Sequence, residues 1–470
     1  MSGRVAVGVA LLVAVSSADG RDWARFRGPN GEGTTADAAP PVEWGPGENV
    51  AWEADLPGPG SSSPIVVGDL VLVTCYTGYG LDQENPGDQQ DLKRCLIAYD
   101  KRSGEQRWRV DVPAELPEDE YAGMFAQHGY ASHTPASDGE RVYAYFGKSG
   151  ALAYDLQGKE LWQTDCGDGF GANGWGSAAS PLIYGDLVIC TATAESESLI
   201  ALDKKTGKEV WRRSEEGWDG VWGTPVLAEA DGRTDLVFGA PQQMLGMDPA
   251  TGETRWTCRG VETDAVSTSP VAHDGVVYII SGRGGALAVR AGGEGEVDDS
   301  HVLWRAGLRG SISTPVYHDG RLYGIGREGV SCVDAQTGER VYQARFEAVA
   351  EGPEAQQQEP GAQPQEAQPQ EQEEGDQPRR GRRGGGGGGR FGSIAYSSPV
   401  VAGDLMYHFG RHGAGHVVRL AGEFQQVASN PPLSEGDYSG TPALSDGAMY
   451  VRSSRKLYCV REGGESVALR

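Results

Sequence analysis

The sequence predicts an all-β fold, an eight-bladed β-propeller of four-stranded antiparallel blades, and three observations carry that prediction. A Ser-Pro or Thr-Pro step occurs eight times, at Ser63-Pro64, Thr134-Pro135, Ser180-Pro181, Thr224-Pro225, Ser269-Pro270, Thr314-Pro315, Ser398-Pro399 and Thr441-Pro442. Away from three long insertions the steps lie 43 to 46 residues apart, the period of a propeller blade. The composition, with 71 glycines among 470 residues and 23% charged, suits a turn-rich β structure and gives little helical periodicity.

The third copy shows the elements of one blade. Ser180-Pro181 opens an apolar strand to Tyr184, Gly185-Asp186 turns the chain, and Leu187 to Thr193 returns it. Leu199 to Asp203 is the third strand, Thr206-Gly207 the next turn, and Glu209-Val210-Trp211 the fourth strand. The four are named A to D. Gly and Asp suit the turns because one tolerates positive φ and the other bonds its own backbone. The apolar runs are nearly continuous, as expected of strands packed on both faces.

Strand D carries an aromatic at Trp108, Trp162, Trp211, Trp256, Trp304 and Tyr342, preceded by a short Gly-containing turn in every copy but that of Trp304, where the acidic stretch Gly292 to Ser300 stands instead. The indoles are expected to bury against the adjoining blade, where a small residue leaves room. At roughly 150 to 250 Å² per aromatic and about 25 cal/mol/Å², each dock contributes a few kcal/mol as an upper bound. These tryptophans are structural and are not read as a cofactor site. The last copy, through Leu457 to Arg461, lacks its aromatic, whereas Val50 to Glu53 reads as a D strand without a blade. The Trp52 strand is therefore expected to complete the eighth blade and join the two ends of the chain, removing exposed sheet edges.

Residues 1–20 read as a secretory signal: Arg4, an apolar run from Val5 to Val15, then Ser16-Ser17-Ala18 as a cleavage site. Residues 21–49 are an N-terminal extension, 50–461 the propeller and 462–470 a tail. Within the propeller, 347–393 is a low-complexity insertion, Gln-, Pro- and acid-rich and then Arg-Gly-rich, expected to be disordered. The signal run is too short to span a bilayer and no later stretch is long enough. No cysteine stands directly after it, so no acceptor for a lipoprotein anchor is expected. An exported protein, periplasmic or extracellular and monomeric, is expected. A net charge of -25 argues against nucleic acid as a partner, since phosphate binding needs clustered cations. Seven cysteines permit disulfides in an exported chain; Cys75 and Cys95 fall where strands B and C of one hairpin face each other, and a bond there depends on Cβ geometry that the sequence does not supply.

Strand order puts the D-to-A loops and B-to-C hairpins on one face. The three long insertions, 76–94, 111–133 and 347–397, all fall there, and loops crowded on one face of a rigid scaffold usually carry binding. Cations recur at the hairpin tips of that face, as Lys148, Arg283, Arg327 and Arg411, with Arg455-Lys456 in the last copy. Blade symmetry would make them a positive ring suited to an anion or an acidic segment; solvated hairpin tips are the plainer reading. The D-to-A loops gather Tyr130, Trp175, Trp218, Trp222, Tyr396 and Tyr438, which either stack a flat ligand or plug the channel. The candidate binding face is thus Lys148, Arg283, Arg327 and Arg411 with Trp175 and Trp222. His408, His412 and His416 have helical metal spacing, but Gly410, Gly413 and Gly415 make the segment a hairpin, and no metal site is assigned. Hydrolase and phosphate-loop motifs are missing.

The segment Trp23 to Gly33 (WARFRGPNGEG), the repeats, and Gly284 to Arg290 with His301 to Trp304 resemble the secreted PQQ-like (pyrroloquinoline quinone-like) β-propeller repeat proteins. The eight-bladed plan is similar to outer-membrane protein assembly factor B, a scaffold without enzymatic activity, and to quinoprotein alcohol dehydrogenases, which hold PQQ and a divalent metal. That second resemblance implies adjacent cysteines under the quinone, and no two cysteines here are adjacent. Nor do the dehydrogenases' metal-binding Glu and Asn or their Asp base find matching positions. The expectation is a non-enzymatic scaffold for an envelope or secreted protein partner, without cofactor. A PQQ- and calcium-dependent alcohol or sugar dehydrogenase is the alternative, and carbohydrate binding a weaker one.

Overall fold

Eight antiparallel sheets form the blades in the computed structural model, which describes residues 22–282, 284–326, 329–347 and 396–463. Blade 1 comprises Ile65–Val67, Leu70–Thr77, Lys93–Asp100 and Gln106–Pro113 as strands A to D. Blade 2 follows with Ala136–Ser137, Arg141–Tyr145, Ala151–Asp155 and Glu160–Thr164, and blade 3 with Leu182–Tyr184, Leu187–Ala192, Ser198–Asp203 and Glu209–Ser214. Blade 4 spans Val226–Ala230 to Thr254–Arg259, blade 5 Val271–His273 to Val302–Ala306, and blade 6 Val316–His318 to Arg340–Ala344. Blade 7 runs from Val400–Ala402 to Gln425–Asn430. Blade 8 takes strands A to C from Ala443–Ser445, Ala448–Arg452 and Lys456–Val460, and its D strand is Val50–Asp55, with Trp52 opposite Cys459. The segment expected to be a signal, most of the insertion and most of the C-terminal tail lie outside the described residues.

The Ser-Pro and Thr-Pro steps meet at the axis. The backbone N–H of each Ser or Thr donates to the side-chain oxygen of its counterpart in the next blade: Ser63 to Thr134 (2.9 Å), Thr134 to Ser180 (3.0 Å), Ser180 to Thr224 (2.9 Å) and Thr224 to Ser269 (2.9 Å). Ser269 continues to Thr314 (3.3 Å), Thr314 to Ser398 (2.9 Å), Ser398 to Thr441 (3.0 Å), and Thr441 closes the circle on Ser63 (3.0 Å). These N–H groups precede strand A and have no ladder partner, so a neighbouring hydroxyl meets the need that burial creates. The proline that follows brings no further N–H to the crowded axis.

At the rim, each indole donates to a carbonyl of the next blade: Trp52 to Lys101 (3.0 Å), Trp108 to Leu156 (2.9 Å), Trp162 to Lys204 (3.1 Å), Trp211 to Pro249 (3.1 Å) and Trp304 to Ala335 (2.9 Å). The receiving turn is held by an Asp that accepts its backbone N–H groups, as Asp203 does from Lys205 and Thr206. Its glycine is needed twice over. Gly207 has φ +70°, and a Cβ there would lie 2.6 Å from the Trp162 ring.

Trp256 departs from the expected docking. It is buried over Gly246 of its own blade, where a Cβ would stand 1.9 Å from the indole, and its Nε1 donates to the buried Asp235 carboxylate at 2.7 Å. Two local changes explain this. Gly246 stands where Trp108, Trp162, Trp211 and Trp304 face an alanine, and the acidic C-to-D connection of blade 5 lays Gly295–Glu296 beside Trp256 and Thr257 as an extra parallel strand. Arg255 and the Gly292 N–H share Asp235 with the indole.

Cys75 and Cys95 are cross-strand partners, yet both are free thiols, as are all seven buried cysteines. The Cys75 sulfur accepts from Arg452 Nη2 at 3.7 Å. Burial pushes the Cys95 thiol up to about 12, which suppresses the thiolate that oxidation requires.

The N-terminal extension crosses the face of the A-to-B turns. Trp23 pairs with Val66 of blade 1, Ala24 accepts from Ser137 of blade 2, and Thr34–Thr35 adds a parallel strand to blade 7. Between them Arg27, buried with φ +62°, spends its guanidinium on carbonyls: Nη1 on Thr314 and Pro399 (both 3.2 Å), Nη2 on Glu32 and Pro315 (both 2.7 Å), and Nε on Gly31 (3.4 Å). The extension is thus a plug for one end of the axial channel.

Replacing Thr134 by Val removes the oxygen that Ser63 N–H uses without changing side-chain shape. The expected loss is about 1–3 kcal/mol, read from the denaturant midpoint, whereas Thr134→Ser stays close to the parent; equal stability of the two variants refutes the role given to the ring. Gly207→Ala is expected to destabilise more than Gly185→Ala, because both glycines have positive φ but only the first would place its Cβ against an indole.

Candidate functional site

On the loop face the axis opens into a cavity of about 140 Å³. Phe26 of the N-terminal plug contributes to its lining, with Met124, Trp175, Trp222, Ile312 and Tyr396, all five from D-to-A loops. The hydroxyl ring supplies most of the polar lining, with Ser61, Ser132 and His128 beside it. Trp175 and Trp222 lie 5.3 Å apart at 41°, and Trp222 is fixed by its Nε1 bond to Gly176 O (2.7 Å). His128 places Nδ1 at 2.8 Å from Ser132 Oγ and Nε2 at 3.0 Å from Trp175 O. A carbonyl only accepts, so the neutral ring keeps its proton on Nε2. Burial lowers His128 to about 4.

Beside this cavity, blades 1 to 3 enclose a polar cluster. Arg94 and Glu118, both buried, form a 2.6 Å ion pair, and Arg94 Nε donates to Tyr130 O. Glu195 accepts from Tyr145 OH (2.7 Å) and Ser177 Oγ (2.5 Å), and Ser177 lies 3.1 Å from His133 Nε2. The enclosed space of about 20 Å³ is the size of a single water site. Burial raises Glu195 above the usual carboxylate range and lowers His133 to about 3.

Two of the predicted cations, Lys148 and Arg411, do not stand free on this face. Lys148 is buried: its Nζ donates to Pro117 O at 2.6 Å and sits 3.2 Å from the Phe170 ring centre. Arg411, also buried, donates from Nη2 to Gln127 O (3.0 Å) and Asp437 Oδ2 (3.2 Å) and lies over Tyr396 at 5.1 Å. Hairpin tips prefer solvent only when nothing overhangs them, and here the long D-to-A loops cover these two and use their charge as internal ties. Arg283 and Arg327 lie outside the described residues. Trp175 and Trp222 come together as a cavity wall with Tyr396, whereas Tyr130, Trp218 and Tyr438 are buried packing residues. His408 and His416 face each other across blade 7, stacked under Phe346, while His412 is exposed.

Sequence reasoning missed Arg27, Arg94, Glu118, His128, His133 and Glu195. The available signal was Arg94 as a charge inside a strand pattern and acids within the second insertion; their pairing across loops follows no spacing rule.

His128, His133, His408 and His416 are all held neutral, the last two at about 3 and 4 by burial. The unfolded chain takes up protons at these residues below about pH 6.5 and the folded chain does not. Their contribution is therefore full above that pH and lost as pH falls toward 4, at no more than about 5 kcal/mol per pH unit for all four together. Glu195 acts with the opposite sign, losing its contribution as pH rises, and softens the slope. The denaturant midpoint is expected to fall between about pH 7 and pH 5, and His408→Gln with His416→Gln to flatten that fall; a flat parent profile contradicts the burial argument.

Comparison with known proteins places this architecture. No curated sequence matches this one closely enough to count as a relative. BamB from Moraxella catarrhalis superposes with a TM-score of 0.55 at 14% identity, over 87% of this chain and 96% of its own. A europium-containing methanol dehydrogenase gives 0.57 at 12%, over 94% and 98%, and the quinohemoprotein alcohol dehydrogenase from Comamonas testosteroni 0.60 at 11%, over 96% and 82%. At these identities the likeness is one of fold. The family model described as outer membrane protein assembly factor BamB matches residues 93–344, more than half of the chain, and the chain belongs to that family.

Proposed function

We propose that the protein is a non-enzymatic scaffold that works outside the cytoplasm and presents its loop-rich face to another protein of the cell envelope, in the assembly of outer-membrane or other envelope proteins. The observation that carries this reading is an apolar group exposed on that face. Leu81, Leu116 and Phe170 are 54%, 47% and 51% exposed and belong to the three connections overhanging blades 1 and 2. Phe170 rests on Lys148, whose Nζ holds the carbonyl of Pro117 next to Leu116. The Leu81 hairpin packs through Gly80 against Tyr121 of the Leu116 loop. Most other exposed large apolar residues, Leu161, Val210, Leu303, Val341 and Val427, lie singly on D strands at the blade rims. Apolar side chains on loops pinned by a buried ion-pair cluster are suited to docking, because little ordering remains to be done on binding. Membership of the BamB family supports the envelope setting, and no described helix is long and apolar enough to cross a membrane.

A quinone-dependent alcohol or sugar dehydrogenase is the second reading, favoured by the fold likeness to two such enzymes. The chemistry of the axial cavity weighs against it. PQQ is a tricarboxylate, and among the described residues that line the cavity there is no Lys or Arg to meet those charges. Among the described residues no three of His, Cys, Asp and Glu converge as a metal site. These residues do not fit the cofactor, and no step is derived through it.

Leu81→Ser, Leu116→Ser and Phe170→Ser together should leave the melting temperature near the parent's and weaken an envelope partner captured by the parent at least about tenfold. Capture equal to the parent's contradicts the docking face. Titration with PQQ and calcium or a lanthanide, read by tryptophan fluorescence and alcohol-dependent dye reduction, separates the two readings; saturable binding with dye reduction would replace the scaffold reading with the enzymatic one.

A further inference from the structure

We infer that the axial cavity is a binding site for a small, uncharged, single-ring aromatic molecule bearing a hydrogen-bond acceptor. This goes beyond the scaffold reading and does not depend on it, since the cavity is distinct from the exposed Leu81, Leu116 and Phe170 side chains.

The wall fixes the shape of the ligand. Met124, Trp175, Trp222, Ile312 and Tyr396 surround a space of about 140 Å³ above Phe26, close to the size of an engineered apolar cavity that accepts benzene. A flat ring fits and stacks on indole.

The lining also fixes the charge. None of the described residues around the cavity is Lys, Arg, Asp or Glu, and the one histidine among them, His128, is kept neutral by burial and committed through both nitrogens. A charged ligand would give up its hydration for no opposite charge, whereas a neutral one has no such cost.

The ring of hydroxyls fixes the polarity of the buried end. Each oxygen already accepts an N–H from the preceding blade, and each hydroxyl still has its own proton to donate. The cavity therefore offers donors around the axis, complementary to a carbonyl or ether oxygen. A sugar is poorly served here. It needs partners that both give and take hydrogen bonds at many points, and the described lining has no Asp, Asn, Glu or Gln.

Benzamide and benzoate, nearly identical in shape and different in charge, test this directly, with methyl glucoside as the sugar. Ligand-observed saturation-transfer NMR titrations of the full-length protein are expected to give saturable benzamide binding, with benzoate at least about tenfold weaker and no glucoside signal. Ala178→Leu, which places a larger side chain on the cavity wall, is expected to abolish the benzamide signal without lowering the melting temperature; if that variant fails to fold, Ile312→Phe serves the same purpose. Equal binding of benzoate, binding of glucoside in place of benzamide, no saturable benzamide binding, or a benzamide signal unchanged in a folded cavity-filling variant would each overturn the inference.

Discussion

The hydroxyl circle at the axis is the constraint on which the rest of this molecule depends. Eight backbone N–H groups arrive where no strand can receive them, and each is met by the next blade's Ser or Thr. The bonds run in one rotational sense, so every blade both gives and receives, and the first and last are as well held as any other. Serine and threonine also alternate without exception around the circle. Because the circle is satisfied from within, the cavity above it inherits a floor of fixed oxygens.

The rim uses different physics for the same purpose. An indole offers a large apolar face and one N–H, and an Asp-braced Gly turn offers a flat surface and one carbonyl. Where the receiving turn is replaced by the longer acidic connection of blade 5, the device is rebuilt. Trp256 folds back over Gly246, and Asp235 collects the indole, an arginine and a backbone N–H. Two departures in sequence, a glycine for an alanine and the longer acidic connection, accompany the whole rearrangement.

The blades were legible because each repeats its signals: the Ser-Pro or Thr-Pro step, the Gly turn and the D-strand aromatic. The place of the Trp52 strand was legible for the same reason, since one copy lacked what the other end of the chain supplied. The site was far less so. Lys148 and Arg411 stand at hairpin tips in the sequence, and only the fold shows that loops from neighbouring blades roof them over. Arg94 and Glu118 are brought together by two insertions that follow no repeat. The Ser and Thr of the steps were recognised as a pattern, but their bonding is between blades, and no property of one copy reveals a partner in the next.

The first strand of the propeller has an unusual position in time as well as in space. Val50–Asp55 pairs with Lys456–Val460, and the Glu53–Lys456 ion pair spans 403 residues of chain. During synthesis this strand emerges before any blade and has no edge to join until the last blade is made. Seven blades can assemble from local contacts while the circle stays open and its terminal edges stay bare. Closure is then a single late event that satisfies the last ladder, the last hydroxyl link and the Trp52 dock together.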